Sequence, residues 1–159
     1  MVRVTGKFVV LVVCAVFLSG CGEDSSFKSR SVCITGYNQF ERQIHEFWLD
    51  GESNSGCHGN PSRRELDQVY GGGSKFTCGC RVTPGKEVSL YWVFAQSKAE
   101  YAAKVPEVQR EIRVTIPQPE SPTSRYFRAY FMKDGTAKLQ WVDNMGAPEL
   151  SPTSAGDLP

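Results

Sequence analysis

The sequence predicts one mostly β domain, built as an antiparallel β-sandwich or as an α+β fold, with one short helix and disulfide bonds. Short segments rich in β-branched and aromatic residues alternate apolar and polar positions along most of the chain. Turn dipeptides, Asp-Gly and Pro-Gly, separate several of these segments. The length of 159 residues fits a single domain, and six cysteines are many for so short a chain.

The composition narrows the classes of partner. Eighteen Lys and Arg residues oppose 17 Asp and Glu residues, which gives a formal charge of +1. This near-balance argues against a nucleic-acid-binding protein, because such proteins usually carry a clear basic excess. The hydrophobic fraction of 40% is typical of a globular protein.

The N-terminus has the features of a secretory signal. Arg3 and Lys7 precede an unbroken apolar run of 11 residues, Phe8–Leu18. A membrane-spanning helix needs about 20 apolar residues, so this run fits the apolar region of a signal peptide better. Small residues and Cys21 follow directly, in an order that resembles the bacterial lipobox. The resemblance implies that residues 1–20 are a lipoprotein signal peptide; an ordinary signal peptide or a short anchor helix is the alternative.

Lipidation of Cys21 would anchor the chain at the periplasmic face of a membrane through acyl chains. Gly22 stands where an aspartate would resemble the retention signal of the inner membrane, which favours the outer membrane. Residues 21–30 then form the lipidated cysteine and a polar, serine-rich tether. The β-rich domain covers 31–143, and 144–159, with three prolines, is predicted to be a flexible tail.

The first predicted strands are Ser31–Tyr37 and Gln43–Leu49. In the second of them, alternation places three residues towards the core: His45, Phe47 and Leu49. The next two segments are Ser74–Val82 and Glu87–Phe94, and Pro84-Gly85 lies between them, so the sequence predicts a hairpin. In the first of this pair, alternation puts four side chains on one face: Phe76, Cys78, Cys80 and Val82.

The second half of the domain begins with good helix formers over Gln96–Val105, bounded by Pro106. A strand is predicted over Glu111–Ile116, and a proline-rich stretch ends it. Two further strands, Arg125–Met132 and Ala137–Val142, flank an Asp-Gly turn and predict a hairpin.

Four cysteines remain for the mature domain: Cys33, Cys57, Cys78 and Cys80. An even number in an oxidising compartment predicts two disulfides. Cys78 and Cys80 share a face of the predicted strand, so each is expected to bond a distant partner, which leaves two pairings open. A zinc site formed by Cys57, His58, Cys78 and Cys80 is the alternative, but the spacing does not match a C-x₂-C ribbon or finger, and no metal or cofactor is expected.

The sequence offers little for catalysis. His45 and His58 are the only histidines, and neither lies in an H-E-x-x-H motif or beside a G-x-S-x-G elbow. The run Gly71–Lys75 lacks the pattern of a phosphate-binding loop and is interpreted as a flexible approach to the next strand. We therefore expect a protein that is not an enzyme, although a small hydrolase with an unrecognised site remains an alternative.

The long connection from Glu52 to Tyr70, with the glycine run after it, is the predicted partner-binding segment, because long loops on rigid β scaffolds often carry recognition. The predicted contact residues are charged, apart from one tyrosine: Glu52, Arg63, Arg64, Glu65, Asp67 and Tyr70.

A set of short motifs between Thr35 and Val142 resembles a family of small proteobacterial lipoproteins defined by a domain of unknown function. In chain order these motifs are Gly36-Tyr37-Asn38, Phe47–Gly51, Gly71-Gly72-Gly73 with Cys78 and Cys80, Pro84-Gly85, Tyr91-Trp92 and Ile112–Pro117. This chain departs from the family at Gly79, which separates two cysteines that are often adjacent in relatives.

Members of that family resemble the immunity partners of type VI secretion phospholipase effectors. The resemblance implies a membrane-tethered inhibitor that binds a secreted phospholipase effector, as a one-to-one protein complex. A structural or assembly lipoprotein of a secretion or envelope machine is the alternative from another class.

Overall fold

The computed structural model describes residues 28–50 and 56–150. The predicted signal peptide, Cys21, most of the tether, Glu52 and the last nine residues of the predicted tail lie outside the described residues. Within them, no helix is long and apolar enough to cross a membrane.

The described chain is mostly β, as predicted, with a single short helix among nine strands. In chain order the elements are β1 (Arg30–Asn38), β2 (Ile44–Leu49), β3 (His58–Gly59), β4 (Gly71–Gly72), β5 (Thr77–Val82), β6 (Glu87–Phe94), α1 (Lys98–Ala102), β7 (Gln109–Thr115), β8 (Tyr126–Phe131) and β9 (Ala137–Val142).

The strands form two sheets. The first sheet has the order β4-β1-β8-β9, and β5 pairs with the N-terminal half of β1; the second sheet has the order β3-β2-β6-β7. All pairings are antiparallel except that of β1 with β8, which is parallel. A parallel pair needs a long crossover connection, and here the whole second sheet is inserted between β1 and β8.

The predicted hairpin of the two segments around Pro84-Gly85 is wrong. β5 belongs to the first sheet and β6 to the second, so this turn crosses from one sheet to the other. The amide of Gly85 donates to the carbonyl of Ile116, which fixes the crossing at the sandwich edge. Both segments face the same core, so their alternation is the same for a hairpin and for a crossing. The second predicted hairpin, β8 with β9, is confirmed.

The hydrophobic core lies between the two sheets. Apolar side chains from the inner faces of both sheets interdigitate there, as in other sandwiches. Its largest fully buried members are Trp92, Phe47, Phe127, Phe131, Ile34, Ile44, Leu90 and Ile116. Trp92 packs edge-on against Phe131 across the core, with ring centroids 5.3 Å apart.

Two irregularities change which side chains face this core. The register between β2 and β6 shifts between Ile44 and Glu46, so His45 is an extra residue and is exposed. The prediction that His45 faces the core with Phe47 and Leu49 is therefore wrong for the histidine, and Ile44 is buried in its place.

The second irregularity separates the two neighbouring cysteines. The register between β1 and β5 shifts at Gly79, which adopts φ 92°, so Cys80 is buried whereas Cys78 is exposed. The prediction that both share one face is wrong because the bulge adds a residue between them. Two disulfides are present, Cys33–Cys78 and Cys57–Cys80, which is one of the two predicted pairings.

Helix α1 is shorter than the predicted helical stretch and buries no side chain. A capping box begins it: Glu100 accepts a hydrogen bond from the Ser97 amide, and Ser97 Oγ accepts one from the Glu100 amide. Lys104, with φ 52°, follows its C-terminus.

We predict that the two disulfides differ in reactivity. Mild reductant should open Cys33–Cys78 first, because Cys78 is exposed, while Cys57 and Cys80 are buried in the core. Alkylation of the native protein, followed by fragment mass spectrometry, would locate the modified cysteines. Simultaneous labelling of all four cysteines, or labelling of Cys57 first, would contradict this assignment.

Candidate functional site

The loops that follow β1, β6 and β8 meet at one end of the sandwich, called here the Asn38 end. Gln39 donates its amide to the carbonyl of Phe131, and the Phe40 ring packs against Phe94 at 5.0 Å. Arg30 lies at the opposite end, eight residues before Asn38 along β1. At about 3.3 Å per residue the two ends are roughly 26 Å apart.

Asn38 fixes the start of the loop Ser62–Tyr70, which lies at this end. Its side chain is fully buried, and Nδ2 donates to the carbonyls of Arg42 at 2.9 Å and Ser62 at 3.1 Å. Its Oδ1 accepts from the amide of Phe40 at 2.8 Å. Both hydrogens of the Asn38 side-chain amide are thereby used, and they join two loops to the end of β1. The amide of Arg64 adds a further bond to the carbonyl of Phe40.

The glycine run that follows Tyr70 holds the end of the loop Ser62–Tyr70 against β1, and it also bonds to Ser62 at the start of the loop. The sequence predicts a flexible run here, but Gly71 and Gly72 form β4 and pair with Asn38 and Tyr37. A methyl group on Gly71 would overlap the carbonyl of Arg63, so only glycine permits this close approach. Gly72 also accepts φ 91° and donates its amide to Ser62 Oγ at 2.9 Å.

The loop between these two attachments, Ser62–Tyr70, carries five of the predicted contact residues. Arg63 and Glu65 are exposed and pair with each other at 3.3 Å; Asp67 is exposed. Arg64 pairs with Glu41 at 3.3 Å. Such pairs contribute little stability at the surface, so these charges remain open to a partner. Glu52 lies outside the described residues.

Two aliphatic residues outside the predicted contact set are the most exposed apolar groups of this loop. Leu66 is 91% exposed and Val69 is 50% exposed. They border a cleft of about 340 Å³, whose lining is Gln39, Arg64, Leu66, Asp67, Gln68, Val69 and Lys133. A signal was present: isolated aliphatic residues within a polar run have no alternation that would bury them.

The prediction for Tyr70 needs a correction, because this residue is buried. It belongs to an aromatic cluster on the outer face of the first sheet, formed by Tyr37, Tyr70, Tyr130 and Met132. Tyr37 stacks on Tyr130 at 5.0 Å, and Tyr70 meets Tyr130 edge-on at 5.3 Å. Tyr70 therefore anchors the end of the loop, and its hydroxyl donates to the carbonyl of Leu150 at 3.1 Å.

The described part of the predicted tail contacts the domain at this cluster. Leu150 packs against the tyrosines, and Gly146 and Glu149 contact the buried Arg128 of β8. Proline and glycine prevent regular structure here, but a segment can still be held by side-chain contacts to a sheet.

A comparison of the chain with protein-family models, curated proteins and solved structures finds no match. The structure nevertheless gives physical roles to the motif Gly36-Tyr37-Asn38. A methyl group on Gly36 would lie 2.7 Å from the Phe47 ring and 2.9 Å from Pro61, so glycine lets the loop lie on the sheet. Tyr37 centres the tyrosine cluster, and Asn38 holds the loops.

We predict that Asn38→Asp lowers the free energy of unfolding by about 2–4 kcal/mol at pH 7, because a buried carboxylate would face two carbonyl oxygens. Asn60→Asp is the matched control at an exposed asparagine and should change it by less than about 0.5 kcal/mol. Urea unfolding followed by tryptophan fluorescence measures both. Equal effects of the two substitutions would refute the role given to Asn38.

We predict a pH-dependent contribution from Tyr70. Burial, and then the charge of Tyr130, raise the pKa of Tyr70 from 10.0 to about 12. Between these values the unfolded chain releases the proton and the folded chain keeps it, so stability falls as pH rises above 10. Tyr70→Phe should cost about 1 kcal/mol at pH 8, through the lost hydrogen bond.

This deficit should shrink between pH 10 and 11, because the variant has no phenol at position 70 to ionise. Tyr101→Phe, at a 76% exposed tyrosine, is the control and should follow the wild-type profile. Urea unfolding at several pH values tests this, and a constant deficit for Tyr70→Phe would show that the phenol does not titrate as described.

Proposed function

We propose that this chain is a lipid-anchored periplasmic lipoprotein that binds a secreted phospholipase effector and neutralises it, as an immunity protein. The observation that carries the binding role is the loop Ser62–Tyr70, which is fixed at both ends and exposes Leu66 and Val69. The identity of the partner rests on the lipobox-like N-terminus and on the family resemblance of the motifs.

The arrangement of apolar and charged side chains in the loop is typical of a protein-binding surface. Apolar side chains at its centre are surrounded by charged ones, as in interfaces where a few buried anchors supply most of the binding energy. Arg64, Asp67 and Lys133 border the cleft beside Leu66 and Val69. A partner side chain placed in this cleft would bury both aliphatic groups and meet charges of both signs at the rim.

The attachment of the loop favours affinity. Ordering a flexible loop on binding costs free energy, and a loop already held by hydrogen bonds avoids much of this cost. Here the Asn38 side chain and the Gly72 amide hold the start of the loop through Ser62, and buried Tyr70 holds its end. The loop is therefore organised before the partner arrives.

The direction of the loop suits a tethered inhibitor. The tether would join the domain at Arg30, and the loop lies at the opposite end of β1. An anchor at Cys21 would therefore leave the Asn38 end directed away from its own attachment point. Tethering also raises the local concentration of inhibitor at the membrane, where a phospholipase must act. Neutralisation then requires tight surface binding and no chemical step.

We predict that Leu66→Ala weakens binding of a phospholipase effector encoded beside this gene by about tenfold or more. Loss of a central apolar anchor typically costs at least 1–2 kcal/mol. Val69→Ala should weaken it by a smaller factor. Phe76→Ala is the matched control, because Phe76 is 54% exposed but lies outside the loop. Titration calorimetry with the soluble domain from Ser25 gives these affinities.

Periplasmic co-expression tests the consequence in cells. The wild-type chain should prevent lysis by the effector, and the Leu66→Ala chain should protect less at equal expression. Continued lysis despite good expression of the wild-type chain would contradict the proposed function. Equal protection by the Leu66→Ala and wild-type chains would show that the effector binds at a surface other than the loop Ser62–Tyr70.

A further inference from the structure

The outer face of the first sheet contains a completely buried arginine. Arg128 has no exposed side-chain surface, and its Nη2 donates to the carbonyl of Gly146 at 2.7 Å. Its Nη1 lies 3.4 Å from the hydroxyl of Tyr130 and 3.4 Å from a carboxylate oxygen of Glu149. Nε has no hydrogen-bond partner among the described residues. A buried N–H without an acceptor costs free energy, so this guanidinium is incompletely satisfied.

The residues that cover Arg128 form a strap, residues 144–150, with no regular secondary structure. Its contacts at the C-terminal end are an acidic and an aliphatic side chain. Glu149 accepts from Gln140 Nε2 at 3.0 Å, and Leu150 packs on the tyrosine cluster. The Glu149 side chain is still 59% exposed. A cleft of about 200 Å³, lined in part by Glu120, Ser124 and Glu149, borders the strap.

We propose that the strap is an intramolecular occupant of a peptide-binding site, and that a partner segment with an acidic residue followed by an aliphatic one can replace it. The proposal rests on the proposed function, because the effector is the partner that would supply this segment. The acidic residue would bind Arg128, and the aliphatic residue would replace Leu150 among the tyrosines.

The chemistry of Arg128 favours such an exchange. A guanidinium binds a carboxylate most strongly through two parallel N–H donors, and the strap supplies a single carboxylate contact. A carboxylate that also engages Nε would use the donor that the strap leaves without an acceptor. Tyrosines form rigid, amphipathic walls that are common in recognition sites.

The position of the site links it to the loop. Tyr70 ends the loop Ser62–Tyr70 and also donates to the carbonyl of Leu150 in the strap. A partner seated on Leu66 and Val69 would therefore lie beside the place where the strap ends. Because the strap competes for the site, the apparent affinity for any external segment is reduced by the fraction of time that the site is open.

The test uses a fluorescein-labelled peptide with the strap sequence, residues 144–150, and the mature chain carrying Cys21→Ser. Fluorescence anisotropy should show at least tenfold tighter peptide binding to the Glu149→Gln/Leu150→Ala variant than to the wild type, because the weakened strap opens the site. Glu107→Gln, which removes an exposed carboxylate outside the strap and outside the cleft beside it, should behave as wild type.

Specificity is tested on the peptide, which avoids any variant that fails to fold. A peptide with glutamine in place of its glutamate should bind the opened variant at least tenfold more weakly than the original. Arg128→Gln in the opened background should abolish binding if it folds, as judged by circular dichroism. Equal binding of the two peptides, or no binding to a folded opened variant, would overturn the proposal.

The effector separates this proposal from the proposed function. The opened variant should bind the effector at least threefold more tightly than wild type. If the effector binds, its affinity falls with Leu66→Ala, and its affinity is unchanged by the strap variants, then the strap proposal fails and the proposed function stands. If the strap peptide binds specifically and the effector does not bind, the site stands and its assignment to that partner fails.

Discussion

The buried amide of Asn38 is the constraint on which the candidate surface depends. It closes β1 and holds both the turn to β2 and the loop Ser62–Tyr70 through three hydrogen bonds. Gly36, two residues before Asn38, and Gly71 and Gly72 on the paired strand β4 allow the backbones to approach closely enough for these bonds to form. A loop with many charges and two exposed aliphatic residues would otherwise have little reason to adopt one conformation, because nothing in its own sequence buries it. The proposed binding function depends on this ordered conformation of the loop Ser62–Tyr70.

The two ends of the sandwich divide the structural tasks. At the Arg30 end, β1 pairs with β5, and Cys33–Cys78 covalently joins these strands, while Cys57–Cys80 ties the start of the long connection to the core. At the Asn38 end, exposed apolar residues and the strap meet around Tyr70. Cross-links near the predicted tether and a proposed recognition surface at the far end would suit a domain that is held at one end and binds with the other.

Much of the fold could be predicted from local patterns. Alternation and turn residues predict seven of the nine described strands and the helix, and an even number of cysteines in a predicted oxidising compartment predicts two disulfides. The faces of His45 and Cys78 could not, because a bulge depends on the partner strand, which the sequence of one strand does not contain. The same limit explains the mistaken hairpin at Pro84-Gly85. Length and charge predict the loop, and the isolated positions of Leu66 and Val69 in a polar run indicate that they are exposed. The burial of Tyr70 could not be predicted, because it depends on Tyr37 and Tyr130, which come from distant strands.

The most direct measurement of the central claim is hydrogen–deuterium exchange of the mature chain, alone and with the phospholipase effector bound. Phe40, and the loop around Leu66 and Val69, should become protected in the complex. The outer face of the second sheet, where Trp48 of β2 stacks on Tyr91 of β6 at 5.5 Å, should keep its exchange rates. Protection confined to that outer face or to the Arg30 end, with no change at the loop, would contradict binding through the loop Ser62–Tyr70.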